Sequence, residues 1–132
     1  MSNAFLRFGV LFALIGVSIG YYMGASHNFA ASPVHAHINL LGWVSMFLYG
    51  LFYRALPEAA QGGLPKVHLG LAVLGFLIFM PALAIQLLAV QSLMSLAPIG
   101  LIVGPTLVLL GMIVFAAIVF MATGKSNRAS PA

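Results

Sequence analysis

Residues 67–88 read VHLGLAVLGFLIFMPALAIQLL and contain no Lys, Arg, Asp or Glu. The stretch without charge continues from there to residue 124, just before Lys125. A helix needs about 20 apolar residues to cross the hydrocarbon core of a bilayer, so this stretch is too long for one crossing and fits two. The turn between the two predicted helices is marked by a group of polar residues and a proline: Gln86, Gln91, Ser92, Ser95 and Pro98.

The composition of the whole chain agrees with a membrane protein. Of the 132 residues, 63% are hydrophobic and 5% are charged, and the mean hydropathy is +1.15. A water-facing surface needs roughly a quarter to a third charged residues, so a soluble globular domain, a disordered segment and a nucleic-acid-binding module are excluded. The chain has no Cys, which excludes disulfides and thiolate metal sites.

We therefore predict an all-α integral membrane protein, a single domain over residues 1–132 with four transmembrane helices. The second helix is the best delimited, because Ser32 and Pro33 form a helix-start signal and Pro57 favours its end. A cleaved signal peptide is the alternative for the first helix. Glycines at four-residue spacing in this helix, Gly16, Gly20 and Gly24, favour a transmembrane helix that packs tightly against another over a cleaved signal peptide. The last helix has a similar pair, Gly100 and Gly104. The predicted spans are about 5–24, 33–56, 67–88 and 99–122.

The basic residues predict how the helices are oriented. With four spans, all five fall on the same side of the membrane: Arg7, Arg54, Lys66, Lys125 and Arg128. The two loops on the other side, 25–32 and 89–97, contain no Lys or Arg. The positive-inside rule then places both termini in the cytoplasm, in a multi-pass protein of a bacterial-type inner membrane.

Four histidines are the candidates for chemistry, because the chain has a single acid and no Cys. We expect His27 to be solvated in an outer loop and His68 to lie near the headgroups on the inner side, about 30 Å away. His35 and His37 begin the second helix. Positions two apart on a helix point to nearly opposite faces, so the pair can offer one ligand to each of two sites. Each site then has to be completed by another helix or another subunit.

The neighbouring residues favour haem as the ligand of this pair. Asn39 lies one turn after His35 on the same face, and Gly42, two turns after it, leaves that face flat for a planar macrocycle. The helix dipole places partial positive charge at the N-terminus, which favours the neutral imidazole that binds metals. Haem iron takes axial His ligands, so we predict a b-type haem with His35 and His37 as iron ligands and with Asn39 and Gly42 beside it.

The segment from His35 to Trp43, HAHINLLGW, resembles the His-x-His segment of the tenth helix of haem–copper oxidase and nitric oxide reductase catalytic subunits. In that family the first His is the proximal ligand of the active-site haem and the second is an axial ligand of the low-spin haem. Those subunits have twelve helices in three arcs of four, and their tenth helix is the second of the third arc. The chain thus resembles one arc, and the resemblance implies a homotrimer that rebuilds the twelve-helix ring.

In such a ring, His35 of one chain would lie opposite His37 of the next, which implies up to three bis-His haems. The family's copper ligands on other helices have no counterpart here, so the resemblance implies electron transfer or redox sensing, with a respiratory redox partner, and not full oxygen reduction. Two alternatives remain open. One is an outer copper or zinc site formed across subunits by His35, His37 and His27. The other is a non-catalytic packing or assembly partner of a respiratory complex.

Overall fold

The computed structural model describes residues 1–126, and this part of the chain is helical apart from short connections. Five α-helices and one π-helical segment make up four rods, with short 3-10 turns at Pro57–Ala60 and Gln91–Leu96. The elements are α1 (Ser2–Ser26), α2 (Ser32–His37), the π segment (Ile38–Ser45), α3 (Met46–Ala55), α4 (Leu64–Leu87) and α5 (Ala97–Ser126).

The second rod consists of α2, the π segment and α3 in direct succession, and we call it the composite helix. Pro33 lies in its first turn, where the missing N–H breaks no hydrogen bond. It ends at Leu56, whose φ of −124° and ψ of 77° leave the helical region immediately before Pro57. Both ends fall within one residue of the predicted span. The π segment was not predicted.

Three of the rods are long and apolar enough to cross a membrane: Ser2–Ser26, Leu64–Leu87 and the helical stretch Gln91–Gly124. The prediction of an all-helical chain is confirmed for the described residues. The predicted span 33–56 coincides with the composite helix, which the π segment divides into pieces of 6, 8 and 10 residues. A fourth crossing and the orientation of the termini stay predictions, and Arg128, one of the five basic residues behind them, lies outside the described residues.

The rods pack as two helical hairpins, one formed by α1 with the composite helix and the other by α4 with α5. Glycines allow the close approach within each hairpin. A Cβ on Gly104 in α5 would lie 2.6 Å from the backbone N and Cα of Phe79 in α4. A Cβ on Gly9 in α1 would lie 3.1 Å from the backbone N of Phe47 in α3. Small residues at helix interfaces are the usual means of tight packing in membranes.

Aromatic side chains join the two hairpins. Phe76 of α4 packs on Phe12 of α1 with ring centroids 4.3 Å apart. At the other end of the bundle, Tyr49 of α3 packs on Phe115 of α5 with centroids 4.6 Å apart. Offset and edge-to-face ring pairs at these separations are favourable beyond the area they bury. The core of the molecule is therefore an aromatic seam between two glycine-packed hairpins.

Candidate functional site

His35 is held against α1 by a backbone hydrogen bond. Its Nδ1 lies 2.8 Å from the carbonyl oxygen of Gly16. A carbonyl only accepts, so Nδ1 carries the hydrogen and Nε2 holds the lone pair. The ring fits there because a Cβ on Gly20 would lie 2.7 Å from the His35 Cε1 atom. The glycine stripe predicted for helix packing thus forms, at Gly16 and Gly20, the seat of the imidazole.

Asn39 contacts His35 one turn further along the composite helix. Its Nδ2 lies 2.9 Å from the His35 carbonyl oxygen and 3.2 Å from His35 Nδ1. Because Nδ1 donates its hydrogen to Gly16, the Asn39 amide donates to the carbonyl. Its side chain also lies over Gly16, where an added Cβ would come within 2.7 Å of the amide. Asn39 therefore fixes the backbone of the turn that carries His35.

His37 has a different set of neighbours. Its Nδ1 lies 2.7 Å from the carbonyl oxygen of Pro33, so this ring also presents Nε2 as the atom with the free lone pair. The ring meets Phe79 of α4 edge-on, with centroids 5.3 Å apart and planes at 82°. Both histidines are half-buried. His35 thus faces α1 and His37 faces α4, the divergence that the two-residue spacing predicts.

Gly42 faces aromatic side chains of the same chain. A Cβ at this position would lie 2.6 Å from Phe76 Cζ and 2.9 Å from Phe12 Cβ. The missing side chain makes room for the Phe76 ring, which is 2% exposed. A macrocycle at this face, as predicted from the sequence, would have to take the place of that ring.

A small cavity lies beside the π segment, lined by Leu41, Ser45 and Phe76 among others. Its volume is about 10 Å³, which is room for about one water molecule. Across residues 1–126, no cluster of three or more His, Cys, Asp or Glu side chains could hold a metal ion. This cavity has no room for a macrocycle.

The remaining histidines differ from each other. His27 is exposed at the end of α1, where its φ of 52° and ψ of 25° form a left-handed helix cap. His68 lies near the start of α4, two residues after Lys66, but its side chain is 0% exposed and faces the bundle interior. The prediction of an interfacial His68 near the headgroups is wrong for its side chain, which packs inside the bundle against Phe5 of α1 and against Tyr49 and Tyr53 of α3.

Sequence reasoning missed the contacts of His68. Its Nδ1 lies 2.8 Å from the hydroxyl of Tyr53, which is 2% exposed. Its Nε2 is buried and has no hydrogen-bond partner within the described residues. The available signal was the four-residue spacing of Tyr49 and Tyr53, which puts two hydroxyl-bearing rings on one helix face near the start of α4.

Compared with known proteins, the chain matches no family model, no curated protein and no solved structure.

Proposed function

We propose that this protein binds b-type haem between copies of itself in a bacterial-type inner membrane, with His35 and His37 as axial ligands, and that it transfers electrons or senses redox state. The proposal includes four membrane crossings with cytoplasmic termini. The main support is the state of the two imidazoles. In each ring, Nδ1–H donates to a backbone carbonyl and Nε2 keeps its lone pair. Histidines that bind metals almost always have the second ring nitrogen engaged in this way.

The positions of the two rings favour ligation shared between copies. His35 is seated against α1 and His37 lies against α4, so a single flat ligand does not meet both rings of one chain. The interior offers a macrocycle no space, since Phe12 and Phe76 fill the face beside Gly42. Closed cyclic assemblies place the same two patches together at every boundary. Three copies, which the resemblance to oxidase subunits implies, would pair His35 of one chain with His37 of the next.

The chain's own residues would hold and shield the cofactor. Asn39 fixes the backbone turn of His35 through its bond to the His35 carbonyl. Phe12 and Phe76 pack on each other beneath Gly42, two turns further along the composite helix, and would keep water from that side. Bound haem supplies a one-electron iron couple, and two axial His ligands favour electron transfer over catalysis at the iron. Any enzymatic activity would accordingly be of the oxidoreductase type, exercised with a respiratory redox partner.

An absorption spectrum of the detergent-purified protein tests this proposal. We expect a red sample with a sharp Soret band that shifts on reduction with dithionite, and one haem per chain. His35→Ala and His37→Ala should each lose the haem, because a shared site needs both rings. His27→Ala is the matched control and should keep it, since His27 is an exposed cap residue.

Three outcomes would contradict the proposal. Loss of haem in only one of the two ligand variants would refute sharing between copies. A colourless protein with stoichiometric copper or zinc would favour the alternative of a metal site formed by His35, His37 and His27. A colourless protein without metal would favour a packing or assembly role. Size-exclusion mass reports the number of chains in each case.

A further inference from the structure

Tyr53 and His68 form a buried hydrogen-bonded pair at the opposite end of the bundle from His35. The Tyr53 hydroxyl lies 2.8 Å from His68 Nδ1, and the two side chains are 2% and 0% exposed. With the hydroxyl donating to Nδ1, the ring hydrogen of neutral His68 is on Nε2. Nδ1 is then the only basic atom in contact with the phenol. The pair therefore joins an oxidisable ring to a proton acceptor in a site closed to water.

Two phenyl rings lie close to the His68 imidazole. Phe5 and Phe115 each lie with their ring centroid 5.0 Å from that of His68, at interplanar angles of 35° and 27°. The imidazole is thus flanked by two phenyl faces. A cation within about 6 Å of an aromatic centroid is attracted by the ring quadrupole, and more strongly where water is excluded. These two rings would stabilise the charge that His68 gains if it takes the phenol proton.

We propose that Tyr53 and His68 are a redox-active pair in which loss of an electron from the phenol is coupled to transfer of its proton to the imidazole. A high-potential one-electron oxidant takes one electron from Tyr53. The Oη–H bond breaks, the proton moves to His68 Nδ1, and the products are a neutral tyrosyl radical and an imidazolium. When an electron donor reduces the radical, the proton returns to Oη. Atoms and charge balance in both directions.

Tyr49 provides the internal comparison. It is 7% exposed and its ring meets that of His68 edge-on at 4.6 Å, so it shares the same cluster. Its hydroxyl, however, donates to the thioether sulfur of Met112, which is a weak acceptor and not a base. The Tyr49 hydroxyl therefore has no base in contact to accept its proton on oxidation, whereas the Tyr53 hydroxyl contacts His68 Nδ1.

The pair is independent of the proposed haem site. Phe5 contacts His68 and Gly16 contacts His35, and both lie on α1, 11 residues apart. At 1.5 Å per residue the two contacts are separated by roughly 16 Å along the helix. A result that refutes one of the two proposals therefore does not refute the other.

The experiment uses photo-oxidised tris(bipyridine)ruthenium, with persulfate as electron acceptor, on the detergent-purified full chain. The chain has four tyrosines and one tryptophan. Tyr21, Tyr22 and Trp43 are 80%, 64% and 39% exposed, and all three are replaced by Phe to give the background protein. Electron paramagnetic resonance should then show a neutral tyrosyl radical in the background and in Tyr49→Phe, and none in Tyr53→Phe.

Flash kinetics separate the role of His68 from a purely structural one. In the background protein equilibrated in D₂O, radical formation should be slower than in H₂O, because the proton moves with the electron. His68→Phe, which keeps an aromatic ring in the cluster, should slow the reaction at least about tenfold. A radical on Tyr49, an equal rate in His68→Phe, or equal rates in H₂O and D₂O would each overturn the proposal. The isotope measurement needs no substitution at the pair, so equal rates in the two solvents would overturn the proposal even where a variant folds poorly.

Discussion

Replacing Gly20 by Ala would press a methyl group against the imidazole of His35. The added Cβ would lie 2.7 Å from Cε1 and 3.2 Å from Nδ1. Non-bonded carbon atoms are best separated by about 3.5 Å or more, so the ring has to retreat by roughly 0.8 Å. That movement stretches the 2.8 Å bond from Nδ1 to the Gly16 carbonyl beyond hydrogen-bonding distance.

The expected loss of stability follows from these contacts. Overpacking in a closed interface costs about 1–3 kcal/mol. The lost hydrogen bond costs about 1 kcal/mol more. The gain in helix propensity from Gly to Ala offsets about 1 kcal/mol. We therefore expect Gly20→Ala to lower the free energy of unfolding by about 2 kcal/mol, taking the middle of the overpacking range.

Gly24→Ala is the matched control, because Gly24 lies one turn further along α1 and its Cβ would meet nothing within 4 Å. It should stabilise the protein by about 0.5–1 kcal/mol, the ordinary effect of removing a glycine from a helix. The assay is equilibrium unfolding in mixed micelles followed by circular dichroism. If Gly20→Ala is as stable as Gly24→Ala, His35 is not seated on α1, and the tautomer argument for its Nε2 is refuted with it.

Two further pairs of variants test the packing by the same unfolding measurement. Gly104→Ala should destabilise by about 1–3 kcal/mol because its Cβ meets the backbone of Phe79, which cannot move without separating α4 from α5. Gly70→Ala, with nothing within 4 Å, should not, and equal effects would contradict the close approach. Phe76→Ala should cost about 3–5 kcal/mol, since a ring that is 2% exposed leaves a cavity. Leu77→Ala, at 45% exposure, should stay within about 1 kcal/mol, and a smaller loss in Phe76→Ala than in Leu77→Ala would show that the aromatic seam is not the core.

The helices and their ends could be predicted because local chemistry determines them. Uncharged stretches of bilayer length predict long apolar helices, and three are present. Pro33 and Pro57 set the ends of the composite helix through effects that act within one turn. The packing role of the glycine stripe was also predictable, although Gly24 takes no part in it.

Two features could not be predicted, because they depend on contacts between distant residues. The burial of His68 requires Phe115, which is 47 positions away in sequence, and hydropathy alone does not give the direction in which the first turn of α4 faces. The π segment is equally non-local. Within it, Gly42 lies against Phe76 of α4, where a Cβ would come within 2.6 Å of the ring, and the Ser45 hydroxyl donates to the Leu40 carbonyl at 2.8 Å. A helical wheel drawn at a constant 100° per residue therefore assigns the residues after the π segment to the wrong face of the composite helix.

The π segment has a consequence for the comparison of sequences. Its hydrogen bonds span one residue more than those of an α-helix, so the composite helix holds more chain than a regular helix of the same length. A relative with an uninterrupted helix would align with this chain only if a one-residue gap fell between Ile38 and Ser45. Without that gap, the histidines and the tyrosines of the two proteins cannot both be matched.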